Sequence, residues 1–121
     1  MRLTLDHLES LAEPPRSCVS WELSAVERQR LDAQGRVEAK EHWVSTVLRE
    51  WGSCGRVALI DGEPVGCAIY APDAWLPGAA TMPTWPSSPD AVVLAELFVN
   101  PEARGGGIAR LLVQGVARDL V

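Results

Sequence analysis

Late in the chain, Ala91-Val-Val-Leu-Ala-Glu-Leu-Phe-Val99 is an apolar, β-branched run, and Asn100-Pro-Glu-Ala-Arg104-Gly-Gly-Gly107 leads it into the amphipathic stretch that begins at Ile108. An apolar strand, a glycine-rich loop and a helix are therefore expected to follow one another directly. The first backbone N–H groups of a helix starting near Gly107 have no intrahelical partners, and the aligned peptide dipoles place partial positive charge there. Glycines at 105, 106 and 107 remove the Cβ atoms that keep a ligand off the backbone and permit positive φ, while Arg104 adds a full charge at the lip. The stretch reads as a site for a phosphate-bearing ligand. The alternative is a plain turn between a core strand and a core helix.

Other phosphate loops fit worse. A Walker A loop requires Lys and Ser/Thr after its last glycine, and Ile108-Ala109 stand there instead. A dinucleotide fingerprint requires a third small residue at its fixed spacing and an acidic residue about 20 positions on, whereas the sequence ends at Val121.

Arg104-Gly-Gly-Gly107-Ile-Ala109 resembles the Arg/Gln-x-x-Gly-x-Gly/Ala signature of the GNAT superfamily of N-acetyltransferases, and Glu96-Leu-Phe-Val-Asn-Pro-Glu-Ala103 looks like that family's fourth strand and its exit. The resemblance implies acetyl-CoA, or another acyl-CoA, as cofactor. It implies that Leu97, Phe98 and Val99 line the pantetheine arm, and that Arg104, Gly105, Gly106, Gly107, Ile108 and Ala109 line the pyrophosphate. The fold it implies is α+β, a mostly antiparallel sheet flanked by helices. Complete members continue past the cofactor helix, so residues 1–121 are expected to form one domain holding the N-terminal two thirds of that fold, with any general acid lying beyond Val121.

The upstream pattern is compatible with that order. Thr4 can cap a helix from Leu5 to Leu11, with Leu5, Leu8, Leu11 and Ala12 on one face, and Pro14-Pro15 stops it. Ser17 to Leu23 alternates loosely and suggests a strand. Ser24-Ala-Val-Glu27 has the form of a capping box. The helix it opens is expected to break near Gly35 and to resume from Val37 to Trp51, where Trp43, Val44, Val47, Leu48 and Trp51 share a face and Gly52 caps the end. Arg56–Ile60 and Val65–Ala71 flank Asp61-Gly62, which favours a tight hairpin. Pro72 to Pro89 should be irregular, and a last helix from Ile108 should bury Ile108, Leu111, Leu112, Val116 and Leu120.

Composition narrows the partners. A net charge of −5 argues against a general nucleic-acid binder and suits an amine substrate, either a small molecule or an amine of a peptide or protein. No apolar run approaches a membrane span, and Met1 to Asp6 lacks the apolar centre of a signal peptide, so the expectation is a cytoplasmic protein with no membrane partner. Cys18, Cys54 and Cys67 have neither framework nor zinc spacing, so free thiols and no metal are expected. The unpaired edge expected beside Ala91–Val99 admits a homodimer.

Direct acyl transfer to an amine needs no covalent intermediate, but it needs a base, because alkylammonium groups have pKa values near ~10. Glu96 is the catalytic candidate, at a place where several members of the resembled family carry an acidic residue; the alternative is a structural carboxylate paired with a neighbouring cation. Glu22, Trp75 and Trp85 are candidates for the acceptor pocket, against plainer roles as an exposed carboxylate and as core aromatics. His7 and His42 read as ordinary helix residues, and Gly52-Ser53-Cys54-Gly55 as a turn. The leading expectation is an N-acetyltransferase acting by direct attack on acetyl-CoA; the other is a non-catalytic acyl-CoA-binding or regulatory module on the same scaffold.

Overall fold

The Asp61-Gly62 turn sets the register at the centre of the molecule. In the computed structural model, which describes residues 1–82, 85 and 91–120, Asp61 and Gly62 have φ of 52° and 80°. Positive φ at both central residues matches the twist of an antiparallel pair, and β1 (Gly55–Ile60) folds back on β2 (Glu63–Ala71). A third strand, β3 (Val93–Val99), pairs antiparallel with the other side of β2, giving the order β1-β2-β3. The middle strand is buried on both faces from Gly66 to Ala71.

Each face has its own cover. Cys67, Ile69 and Ala71 face a cluster with Trp43, Val44 and Val47 of the long helix and with Leu3, Leu8 and Leu11 from the N-terminus. Ala68 and Tyr70 face Leu112 and Val116 of the last helix. Period-two alternation on β2 thus separates two apolar layers, and the fold is α+β with an antiparallel sheet flanked by helices.

The helices follow local chemistry with some departures from the sequence pattern. The first, α1 (Leu5–Leu8), is shorter than expected; Leu5 is exposed, and Leu3 takes its place beside Leu8 and Leu11 in the core. The second, α2 (Ala25–Gln29), opens on the expected capping box: Glu27 N–H donates to Ser24 Oγ at 3.3 Å, and Ser24 N–H donates to Glu27 Oε1 at 3.4 Å. The third, α3 (Ala33–Glu50), does not break at Gly35. Asp32 Oδ1 accepts the Gly35 N–H at 2.7 Å, so the glycine lies in the first turn and the interruption falls at Arg30-Leu31. Gly52, at φ 98°, ends α3 with its N–H donated to the Val47 carbonyl.

Ser17–Leu23 is not a strand. Cys18 N–H donates to the Pro14 carbonyl and Leu23 N–H to that of Val19, so successive turns satisfy the backbone locally. Turning also brings Val19 and Glu22, three positions apart, to the interior. In α4 (Ile108–Asp119), Leu112, Gly115 and Val116 are buried while Leu111 and Leu120 are exposed. A Cβ at Gly115 would lie 2.7 Å from Arg56 Nε, so the missing side chain admits the Arg56 guanidinium and orients the helix on a face that excludes Leu111.

The proline-rich segment is irregular where described, with short 3-10 turns at Asp73–Trp75 and Pro77–Thr81; its remainder, apart from Met82 and Trp85, lies outside the described residues. Among the described residues, no helix is long and apolar enough to cross a membrane.

Candidate functional site

Among the described residues, strand β3 pairs on one side only. Its ladder with β2 runs from Gly66↔Val99 to Ile69↔Glu96, then resumes at Tyr70↔Leu94, so Ala95 is an extra residue that bulges the edge strand beside Glu96. Past the strand, Asn100 N–H donates to the Val65 carbonyl at 2.7 Å. Because backbone groups alternate along a strand, Phe98 also faces β2, and the amides and carbonyls of Leu97 and Val99 face the open edge. An extended ligand could pair there as an added strand.

The chain then makes a 3-10 turn at Pro101–Ala103 and enters the glycines. Gly105 and Gly107 have φ of 93° and 83°, and a Cβ built on either would meet nothing within 4 Å. What the loop requires of these residues is their left-handed backbone, and the space in front of them is open. Gly107 is the N-cap of α4 and offers no side chain to its first amides. Those amides, at the positive end of a 12-residue helix, fit an anionic group. Arg104 turns back from the loop: its Nε donates to the Val99 carbonyl at 2.9 Å, and its guanidinium lies 5.7 Å from the centre of the Phe98 ring. The phosphate-type features of this loop are thus those of the backbone.

Across the sheet from α4, Glu96 meets a cation that the sequence reading missed. Lys40 Nζ, in the middle of α3, donates to Glu96 Oε1 at 2.8 Å, to Glu22 Oε2 at 2.9 Å and to the Cys18 carbonyl at 2.8 Å. All three ammonium donors are used. The side chains of Lys40 and Glu22 are fully buried and that of Glu96 is 10% exposed. Glu22 Oε1 and Glu96 Oε2 are buried without a hydrogen-bond partner among the described residues. A signal for Lys40 was present: it precedes Trp43, Val44 and Val47 by three, four and seven positions and so stands on their apolar stripe.

Two carboxylates share one ammonium, and the proton affinities reflect the imbalance. Burial pushes the Glu22 carboxyl up to about 8; Lys40 opposes this and the nearby Glu96 reinforces it. Burial alone would lower the Lys40 pKa, but the Glu22 and Glu96 carboxylates overcome it and hold lysine above its ordinary value. The cluster therefore carries either one surplus negative charge or one extra proton.

A cavity of about 260 Å³ adjoins this cluster, lined by Pro14, Pro15, Cys18 and residues 95–98, Glu96 among them. A larger one, about 670 Å³, lies elsewhere, lined by residues including Arg2, Trp51, Ser53 and Asp119. The smaller cavity is the one next to the bulge and the open edge, so chemistry outweighs size here. Beside the larger, Asp119 at the end of α4 accepts from Tyr70 Oη at 2.9 Å and pairs with Arg56 and Arg2 at 3.1 and 3.3 Å, while Ser53 Oγ bonds Tyr70 Oη. That network ties α4 to the sheet, and the two arginines offset an acidic residue at the negative helix end.

Trp75, Trp85 and His7 are not among the residues that line the Glu96 cavity. Trp75 packs against the core and its carbonyl accepts from Trp43 Nε1 at 2.7 Å, while Trp85 is 47% exposed. His7 Nδ1 accepts the Thr4 N–H at 3.0 Å and serves the start of α1. The three cysteines are free thiols, Cys54 and Cys67 buried and Cys18 partly exposed.

Compared with known families, residues 9–121 match the model of the acetyltransferase (GNAT) family. No curated protein and no solved structure matches the chain.

Proposed function

The chain belongs to the acetyltransferase (GNAT) family, and from that premise we propose that it is an N-acetyltransferase that moves an acetyl group from acetyl-CoA to a primary amine by direct attack. Acetyl-CoA supplies an activated thioester. The chain's own residues bind, align and accept a proton.

The observation that carries this reading is the continuity of the edge strand, the glycine loop and the uncapped start of α4, with a partly unpartnered carboxylate on the same strand. The backbone edges of Leu97 and Val99, with Phe98 between them, are suited to the pantetheine arm, and the amides from Gly105 to Ala109 to the pyrophosphate. Arg104 braces the junction by holding the Val99 carbonyl, and swings to the phosphates only by giving up that bond. Glu96, one residue past the bulged Ala95 and lining the adjoining cavity, is the carboxylate that takes the amine proton. The acceptor is an amine, of a small molecule or of a peptide, and a cytoplasmic setting suits an enzyme that draws on acetyl-CoA.

Release of free thiol from acetyl-CoA across a panel of primary amines tests the proposal. Amine-dependent release above the rate of hydrolysis supports transfer; tight binding of acetyl-CoA without such release would instead fit a binding module.

A further inference from the structure

Glu96 alone is a poor match for its task. An isolated carboxylate has a pKa near ~4 and an alkylammonium near ~10, so proton transfer between them is uphill by about six pH units. The geometry supplies a second carboxylate. Glu22 comes from the turns before α2, Glu96 from the edge strand and Lys40 from α3, and the three meet in the interior with one oxygen of each carboxylate on the same ammonium. The other oxygen of each is buried and unpartnered among the described residues. A purely structural pairing would need one carboxylate for one lysine. The second leaves the cluster with a surplus negative charge inside the protein, which a proton or an incoming ammonium would neutralise.

We propose, building on the acyltransferase reading, that Glu22 and Glu96 bridged by Lys40 form a single proton-accepting unit, in which Lys40 is the positioning residue that holds the two carboxylates together and Glu22 shares the proton that Glu96 takes from the amine acceptor. The acceptor arrives as R–NH3⁺ and is drawn by the surplus charge. Its N–H bond breaks with the electron pair left on nitrogen, and an O–H bond forms on the carboxylate pair, entered at Glu96 where it lines the cavity. The ammonium loses one positive charge and the cluster loses one negative charge, so the step balances without any further reactant. The neutral amine then has the lone pair that attack requires.

The charged and titratable groups around the unit all bear on it. Burial raises the proton affinity of Glu22, Lys40 lowers it from the α3 side and Glu96 raises it from β3, which together bring Glu22 to about 8. Burial pushes both Cys67 on β2 and Cys54 before β1 up to about 12, with Lys40 opposing at each and Glu96 reinforcing at Cys67, so both thiols stay neutral where Glu22 titrates. Cys18 gives its carbonyl to Lys40. The proton belongs to the pair rather than to either residue.

The test is a carboxyl-¹³C NMR titration of glutamate-labelled protein without any ligand, with Glu22→Gln and Glu96→Gln to assign the two signals. The expected result is a step near pH 8 at Glu22 that also moves the Glu96 carboxyl signal. In Glu22→Gln that step disappears at both positions. The paired readout is the pH–rate profile at saturating acetyl-CoA: in Glu22→Gln the acid limb moves down by at least about two pH units and the plateau falls by about tenfold or more, because the remaining base is weaker. Glu22→Asp restores the high step in part. The proposal is overturned if both carboxyls have finished titrating by about pH 6, or if Glu96 is indifferent to Glu22→Gln. Titration of the unaltered chain decides even if a variant fails to fold. A high shared step with no amine-dependent thiol release would instead overturn the acyltransferase reading.

Discussion

Lys40 Nζ and Glu96 Oε1 lie 2.8 Å apart, joining the middle of α3 to the bulged edge strand β3 through a buried ion pair. The same lysine holds Glu22 and the Cys18 carbonyl, so one side chain fixes the turns, the long helix and the strand of the candidate site relative to each other. Such a pair can be nearly neutral for stability when intact, because desolvation offsets attraction, yet costly when one partner is removed.

Lys40→Met should therefore destabilise the protein by about 3–5 kcal/mol, since it leaves two buried carboxyls without their cation. Urea denaturation measures this directly. A loss below about 1 kcal/mol would place the lysine in contact with water and contradict the buried cluster.

Stability should also fall as pH rises. The Glu22 carboxyl binds its proton more tightly in the folded chain, near 8 against an ordinary value of 4.5, so between those values the native state holds a proton that the unfolded state has released. Its contribution is fully present below about 4.5 and is lost as pH passes through about 8. Lys40, raised rather than lowered, stays charged across this window and adds no slope. Thermal midpoints of the unaltered chain should decline from pH 5 to pH 8, by the sign of this linkage, and Glu22→Gln should flatten the decline.

Gly107→Ala tests the loop through its backbone. At φ 83° an alanine is strained although nothing lies near its Cβ, so the expected cost is about 1 kcal/mol of stability. Acetyl-CoA affinity should fall further than this, since the first amides of α4 would lose their alignment. Calorimetry that shows unchanged affinity in a folded variant would remove the loop from the site.

The cysteines should differ in reactivity. Burial pushes Cys54 and Cys67 up to about 12, and both are wholly inaccessible, whereas Cys18 is partly exposed and lines the cavity beside Glu96. Brief alkylation of the native protein, followed by mass spectrometry, should modify Cys18 alone. Labelling of Cys67 at a comparable rate would mean that the interior of β2 opens readily.

Much of the architecture was legible because its signals are local. Asp61-Gly62 demanded a hairpin, Ser24 and Glu27 satisfied each other as a capping box, and the glycines before Ile108 marked a helix start. The strand, turn and helix around the loop followed from the same pattern, whereas Glu96 entered as a candidate only through the family resemblance. The turns of Ser17–Leu23 were hidden because an alternating sequence of so few residues fits a strand equally well, and only their local hydrogen bonds distinguish the two. Gly35 looked like a break because its partner, the Asp32 side chain, acts as a cap that makes a glycine acceptable in the first turn. The Lys40 cluster was hidden for another reason. Its three charged members are 18 and 56 positions apart along the chain, and no local rule pairs them. The one available clue was a lysine on an apolar helix stripe.

The most direct measurement is a map of backbone amide shifts as acetyl-CoA is added to the isotopically labelled chain. The account predicts saturable changes concentrated at Leu97, Val99 and the amides from Gly105 to Ala109, with a secondary response at Glu96. Changes confined instead to Trp51, Ser53 and Asp119, around the larger cavity, or no saturable change at all, would contradict it.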